Sequence, residues 1–380
     1  MFLALKDNPA FDCGFICCLS DTDLRLKKPK RRLQYNGMRE FFAALGPIWH
    51  DLYHDKMDRM HDPASIDCDI VFIQQPWGMQ DFPRLLSGRI LSAYLHYGFA
   101  IISNDRMQFQ LPDFHRYLWA YFAQTEAHAR TISADKNETV LLPCKVQAVG
   151  YPKLDGYLIP ANKNAGHGLW PRSLSKTRKR VIFAPHHAVG AATLNMATFH
   201  WSSPTILDLA RQYPEMDFIL KPHPNLAHAY KNRKNYGGQS YEQWSVTWRN
   251  MPNCGVFDSG LYFDLFNSSD LMITDSGSFL AEYLPTGQPI IRLVSSGAQP
   301  FNASGQQLND AFYVADDSTG LQQVFKQIAV GKTDPLASVR QDKRSLILPF
   351  DKPAAEMIID SISECMERAG PNDSPDAKLP

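Results

Sequence analysis

Three short segments hold side chains that could grip an anion. They are residues 185–187 (PHH), 221–224 (KPHP) and 274–278 (TDSGS). Lys221 offers a fixed positive charge. His186 and His223 offer imidazoles, which donate or accept a proton near neutral pH. Pro222 and Pro224, which follow Lys221 and His223, stiffen the backbone that carries them. In the third segment small hydroxylated residues precede a helix, so Ser276, Gly277 and Ser278 are expected to present backbone N–H groups to a phosphate. Thr274 and Asp275 belong to the same turn. Glu282, a turn or so into that helix, is placed to accept from ribose hydroxyls. Two adjacent histidines on an extended backbone point opposite ways, so at most one of His186 and His187 is expected to face a ligand. Each segment also has an ordinary reading, as a capped helix or a surface histidine. Their shared position in the chain's rhythm is what favours chemistry.

That rhythm alternates strands and helices. Apolar runs at 180–184, 217–221 and 271–274 read as buried parallel strands, and each ends at one of the three segments. In open parallel sheets ligands bind beyond the carboxyl ends of the strands. Further strands are expected at 255–257 and 289–293. Helices are expected at 204–213, 262–267, 321–330 and 353–368, with Pro204 in a first turn. The first half repeats the alternation less clearly. A strand within 1–19, a helix over 38–60, a strand at 69–74, a helix near Phe82, a strand at 99–102, a helix over 114–131 and a strand at 146–149 are predicted. The fold class implied is α/β with parallel sheets. The expected division is a first Rossmann-like domain at 1–155, a linker at 156–179, a second at 180–350, a closing helix at 351–369 and a disordered tail at 370–380.

The bulk properties narrow the functions. The 380 residues carry zero formal net charge and are 44% hydrophobic. Such a chain is globular and has no overall field to draw it onto nucleic acid. Seven scattered cysteines read as reduced thiols, with Cys13, Cys17 and Cys18 lacking a second pair at zinc spacing. No run approaches the ~20 apolar residues that cross a bilayer, and no signal peptide is evident. A cytoplasmic location is expected. One basic cluster stands out: Arg25, Lys27, Lys28, Lys30, Arg31 and Arg32. It reads either as a solvated loop or as a peripheral contact with an anionic membrane, at the inner face of the plasma membrane.

Taken together, residues 183–187 (FAPHH), 219–224 (ILKPHP) and 265–282 (LFNSSDLMITDSGSFLAE) resemble the CDP-glycerol glycerophosphotransferase family, the teichoic-acid and capsule polymerase relatives. Weaker matches are 69–76 (DIVFIQQP), 94–98 (YLHYG) and 150–155 (GYPKLD). The resemblance spans roughly residues 65–345. It implies a GT-B fold of two facing Rossmann-like domains. It also implies transfer of a glycerol-phosphate or related alditol-phosphate unit from a CDP-activated donor, CDP-glycerol in the family's pattern, to a hydroxyl of a cell-surface polymer or lipid-linked acceptor. Lys221 and His223 would then face the pyrophosphate. Thr274, Asp275, Ser276, Gly277 and Ser278 would hold phosphate or ribose, and Glu282 would lie near the ribose. The family's Trp-His-Gly segment, whose histidine is the proposed base, is replaced here by residues 74–78 (QQPWG). His186 and His96 are then the candidates for the base, and His223 the candidate for stabilising the departing phosphate. No cofactor and no metal are expected, with the protein's own cations neutralising the phosphates. Two alternatives share these residues: a GT-B glycosyltransferase using a nucleotide sugar for surface polysaccharide, and a non-catalytic nucleotide-binding relative.

Overall fold

The computed structural model describes residues 1–104, 111–134, 145–158, 166–172, 178–190, 194–259, 262–331 and 333–369. The tail expected at 370–380 lies outside them, as does much of the linker expected at 156–179. The chain forms two compact units. One comprises Met1–Tyr97, Asn104–Asp155 and Phe350–Pro380, and the other Gly98–Ser103 and Gly156–Pro349.

In the first unit, strands β1 (Phe15–Cys17) and β2 (Ile48–Asp51) pair in parallel. Strands β3 (Tyr53–His54) and β4 (Arg59–Met60) form an antiparallel ribbon. The main sheet has four parallel strands in sequential order: β5 (Ile70–Ile73), β6 (Leu91–Tyr94), β7 (Ala120–Ala123) and β8 (Lys145–Ala148). The helix expected over 38–60 is instead α1 (Lys28–Leu45). Gly46 and Pro47 end it, and the apolar residues that follow alternate in burial as strand β2. The helix expected over 114–131 is also corrected. Residues 120–123 (AYFA) are buried throughout as β7, and α2 (Glu126–Ala134) follows. A short apolar run does not by itself separate helix from buried strand. The strand expected at 99–102 falls at β6 instead, and Ile102 makes only an isolated bridge to Phe301.

The closing helix α5 (Ala354–Ala369) belongs to this first unit. Its apolar face, Ile358 and Ile362, packs with Ala93, Ala120, Phe122 and Val149. Its first turn is held by Asp155, whose carboxylate accepts from the amides of Ala354 (2.8 Å) and Ala355 (2.9 Å). A carboxylate there suits both the unpaired N–H groups and the helix dipole.

The second unit contains one six-stranded parallel sheet. Its strands are β9 (Arg180–Ala184), β10 (Asp217–Leu220), β11 (Cys254–Val256), β12 (Leu271–Thr274), β13 (Ile290–Leu293) and β14 (Tyr313–Ala315), in the order β11-β10-β9-β12-β13-β14. That is the doubly wound order 3-2-1-4-5-6, whose direction reverses between β9 and β12. Helix α3 (Phe199–Gln212) covers one face and begins five residues before Pro204. A proline inside a helix frees the carbonyl four residues earlier. Here that carbonyl, of His200, accepts from the amide of Tyr236 at 2.7 Å. This outside partner is why Pro204 sits in a helix interior and not in the expected first turn. The remaining helix that matters below is α4 (Gly277–Tyr283).

Candidate functional site

The site is built at the carboxyl edge of the second sheet, beside the topological switch. Strand register sets it up: Leu220 pairs with Phe183, and Ala184 with Thr274. The three segments singled out in the sequence therefore leave the sheet at nearly one level. Lys221 follows β10, Pro185 follows β9 and Asp275 follows β12.

Three imidazoles meet there. The ring centroids of His187 and His223 are 3.9 Å apart and nearly parallel, those of His186 and His187 4.6 Å apart, and those of His186 and His223 5.0 Å apart. The expectation that only one of His186 and His187 faces this edge is corrected. The backbone leaves the extended form at Pro185, and the Ala188 amide donates to His186 Nδ1 at 3.1 Å, turning the segment. The Asn225 amide donates to His223 Nδ1 in the same way, at 3.1 Å.

These two contacts fix the tautomers. A ring nitrogen that accepts an N–H bond carries no proton, so the proton of a neutral ring sits on Nε2. His186 and His223 thus hold Nε2–H donors. Burial, and the neighbouring rings, push His186 down to about 3. Burial, His187 and the Lys221 ammonium push His223 down to about 4. Burial also lowers His187, whose Nδ1 is buried with no hydrogen-bond partner among the described residues. One nitrogen from each of the three rings lies within 4.8 Å of the others, a spacing that could hold a metal ion. Metal ligands need a lone pair, usually with the other nitrogen donating its N–H. At His186 and His223 that pattern is reversed, which favours an anion over a cation. The same tautomer bears on the expectation that His186 is a base. With Nδ1 occupied by the Ala188 amide and the ring's basicity lowered by burial, His186 is better placed to donate from Nε2–H than to accept a proton.

Asp275 holds the edge together. It is 2% exposed. Its Oδ1 accepts from the His186 amide (2.5 Å), and its Oδ2 from the Thr198 amide (2.6 Å) and hydroxyl (2.8 Å). Burial outweighs these bonds and raises its carboxyl to about 6. This geometry gives Asp275 a structural role beside the expected ligand contact, since protein donors take three of the roughly four acceptor positions on its two oxygens. Thr274 plays a similar part. Its hydroxyl donates to the Ala184 carbonyl (2.6 Å) and accepts from the Ser276 amide (3.0 Å).

Gly277 is required by close approach. A Cβ there would lie 2.5 Å from Cγ1 of Ile102. The hydroxyl of Ser278 faces Gly98, where a Cβ would come within 2.7 Å of its Oγ. Ser276 caps α4 without a side-chain bond. That helix is only seven residues long, so its dipole adds less than the sequence suggested.

Lys221 and Glu282 are joined through Tyr262. The Lys221 ammonium lies 5.6 Å from the Tyr262 ring centroid and 5.9 Å from that of Phe257. The Tyr262 hydroxyl donates to Glu282 Oε2. Both Lys221 and Glu282 are buried. His96 lies in the first unit, stacked on Tyr97 (5.2 Å, 13°) with edge contacts to Trp77 and Tyr94.

Thr198 and Tyr262 complete this arrangement but were not singled out in the sequence, and His187 was named only as the alternative to His186. Adjacency to His186 marked His187. Nothing local marked Thr198, which reaches Asp275 across 77 positions.

The histidines make a pH prediction. Their folded acidities lie below the ordinary imidazole value near 6.5, so their stabilising effect is complete above that value. It is lost as pH falls through 6.5 toward the folded values near 4 and 3. Replacing both with asparagine, whose side-chain oxygen can accept the same amides, should reduce acid destabilisation between pH 6.5 and 4.5 by roughly 2 kcal/mol for each histidine. Urea denaturation across that range measures it. An unchanged pH profile contradicts the assignment.

No family model matches this chain. No curated protein matches it either. Solved structures do. One similar structure is UDP-GlcNAc 2-epimerase from Neisseria meningitidis bound to UDP-GlcNAc, at 13% identity and a TM-score of 0.59, covering 96% of this chain and 95% of that one. A second UDP-N-acetylglucosamine 2-epimerase aligns at 12% identity and a TM-score of 0.55, covering 100% and 94%. The UDP complex of MnaA from S. aureus aligns at 11% identity and a TM-score of 0.52, covering 96% and 92%. At such identities the likeness concerns the fold. The chain has an α/β, GT-B-like fold with parallel sheets.

Proposed function

We propose that the second unit binds a nucleoside-diphosphate-activated donor at this edge, and that the protein is a GT-B-type transferase using a nucleotide sugar in surface polysaccharide synthesis. One observation carries the reading: Nε2–H donors from His186 and His223, His187 and the Lys221 ammonium are gathered at the switch point of a doubly wound sheet. Neutral donors and one buried cation suit a diphosphate, whose charge is spread over many oxygens. Two of the similar structures hold UDP-GlcNAc and UDP, which supports a uridine nucleotide as the first to try.

In this reading Lys221 and His223 stabilise the charge that grows on the departing nucleoside diphosphate. Asp275 holds the His186 loop, and Glu282 is placed for the ribose. The protein's task is positioning and charge stabilisation. No metal is needed for that task.

A second reading is favoured by the three motifs in their family order. An acceptor hydroxyl loses its proton, its oxygen attacks the β-phosphorus of a CDP-linked alditol, and CMP leaves. The same donors would then hold the leaving phosphate.

Incubation with UDP- and CMP-sugars, CDP-glycerol and CDP-ribitol, followed by assay of nucleotide release, separates the two. Release of UDP or CMP from a sugar donor is the expected result. CMP released only from CDP-glycerol or CDP-ribitol would select the second reading. Tight nucleotide binding with no release from any donor would select a non-catalytic protein.

A further inference from the structure

The basic cluster is not a loop. Residues 28–32 form the start of α1, an 18-residue helix of which only Tyr35 is fully buried. Its inner side is clipped to the first unit. Tyr35 packs with Cys17, Leu19 and Tyr53, with Met38 and Phe42 beside them. Three ion pairs fasten the same helix: Arg31 to Asp58, Arg32 to Asp55, and Arg39 to Asp51. The aspartates facing α1 are therefore neutralised by arginines of the helix.

The outer side is different. Leu33, Gly37, Phe41 and Leu45 follow one another at four-residue steps, so they form a slanting stripe that starts opposite Tyr35 and winds by about 40° per step to the flank of the buried side. Leu33 is 76% exposed and Phe41 53%. Trp49, on the adjoining strand β2, is also exposed. A surface helix ordinarily turns such residues inward. Arg25, Lys27, Lys28 and Lys30 are exposed at the N-terminal end of the strip and enter no salt bridge among the described residues. Glu40 is the acidic residue of the outer helix surface.

We propose that α1 is a membrane-surface helix, whose basic end meets anionic lipid headgroups while Leu33, Phe41, Leu45 and Trp49 enter the boundary between headgroups and acyl chains. Charge decides between occupants. A protein partner or a second copy of this chain, which has no net charge, offers no general attraction for four lysines and arginines beside an apolar strip. An anionic bilayer attracts the first and accommodates the second. Aromatic residues are favoured at that depth.

Vesicle sedimentation of the full chain tests this. Binding to phosphatidylglycerol-containing vesicles, and much weaker binding to pure phosphatidylcholine, is expected. The triple variant Lys27→Gln, Lys28→Gln, Lys30→Gln should bind anionic vesicles on the order of a hundredfold more weakly. The variant Leu33→Ser, Phe41→Ser keeps the charges and should lose roughly tenfold or more. Circular dichroism should show both variants folded, and because none of these residues lies at the nucleotide site, nucleotide binding should be unchanged. Absence of wild-type binding to anionic vesicles would overturn the proposal. So would equal binding by the wild type and the Leu33/Phe41 variant. A concentration-dependent dimer abolished by that variant would overturn it too, in favour of a second copy.

Discussion

Replacing Asp275 with alanine should cost roughly 3–4 kcal/mol of stability and remove nucleotide binding. Three donors, from the His186 amide and from the amide and hydroxyl of Thr198, converge on this carboxylate in a place closed to water. Leaving a buried donor without its acceptor costs about 1–3 kcal/mol each, with partial relaxation reducing the sum. The same change releases the loop that turns His186 and the N-terminal end of α3, so the donors of the site lose their common aim. An Asp275→Asn variant keeps one acceptor but sets an NH2 group against an N–H, and should be intermediate. The pH dependence is opposite to that of the histidines. The folded carboxyl, raised to about 6, titrates above its unfolded value of 3.8. Its contribution favours the fold below pH 4 and is lost as pH rises through 6. Asp275→Asn removes that trend. Urea denaturation with nucleotide titration on each variant provides the check, and an alanine variant as stable and as tight-binding as the wild type would discard the role.

His223→Ala should reduce turnover at least a hundredfold while leaving the fold intact. Removing one donor aimed at developing charge costs about 10²–10³ in rate at comparable sites. The structural loss is small. The ring is only partly buried, and Asn225, whose amide would be freed, is exposed and can turn to water. Nucleotide release from the active donor gives the rate, and the thermal transition reports the fold. Full activity with an unchanged transition would reject the assignment.

The second unit was more legible in the sequence than the first, for a physical reason. Strands at 180–184, 217–220 and 271–274 are buried on both faces, so they read as continuous apolar runs closed by proline or small polar residues. In the first unit the signals conflict. Residues 38–60 are apolar at near-helical spacing, yet Gly46 and Pro47 divide them into a helix end and a strand. Around 120–123 the aromatic residues suit helix or strand equally. At the site, residue types could be read directly but their roles could not. Asp275 reads as a ligand contact, and its bonds to His186 and Thr198, far away in the chain, are not visible in the sequence. One of His186 and His187 is expected to face away, yet the turn at Ala188 brings both rings to His223. Pro204 looks like a helix start because its rescuing partner, Tyr236, lies 32 positions onward.

A crystal structure with UDP bound gives the most direct test of the site. Diphosphate oxygens should lie within hydrogen-bonding distance of Nε2 of His186 and His223 and of the Lys221 ammonium, with Asp275 still holding the His186 and Thr198 amides. A nucleotide seated elsewhere, or a diphosphate at this edge that touches none of those three nitrogens, would contradict the account.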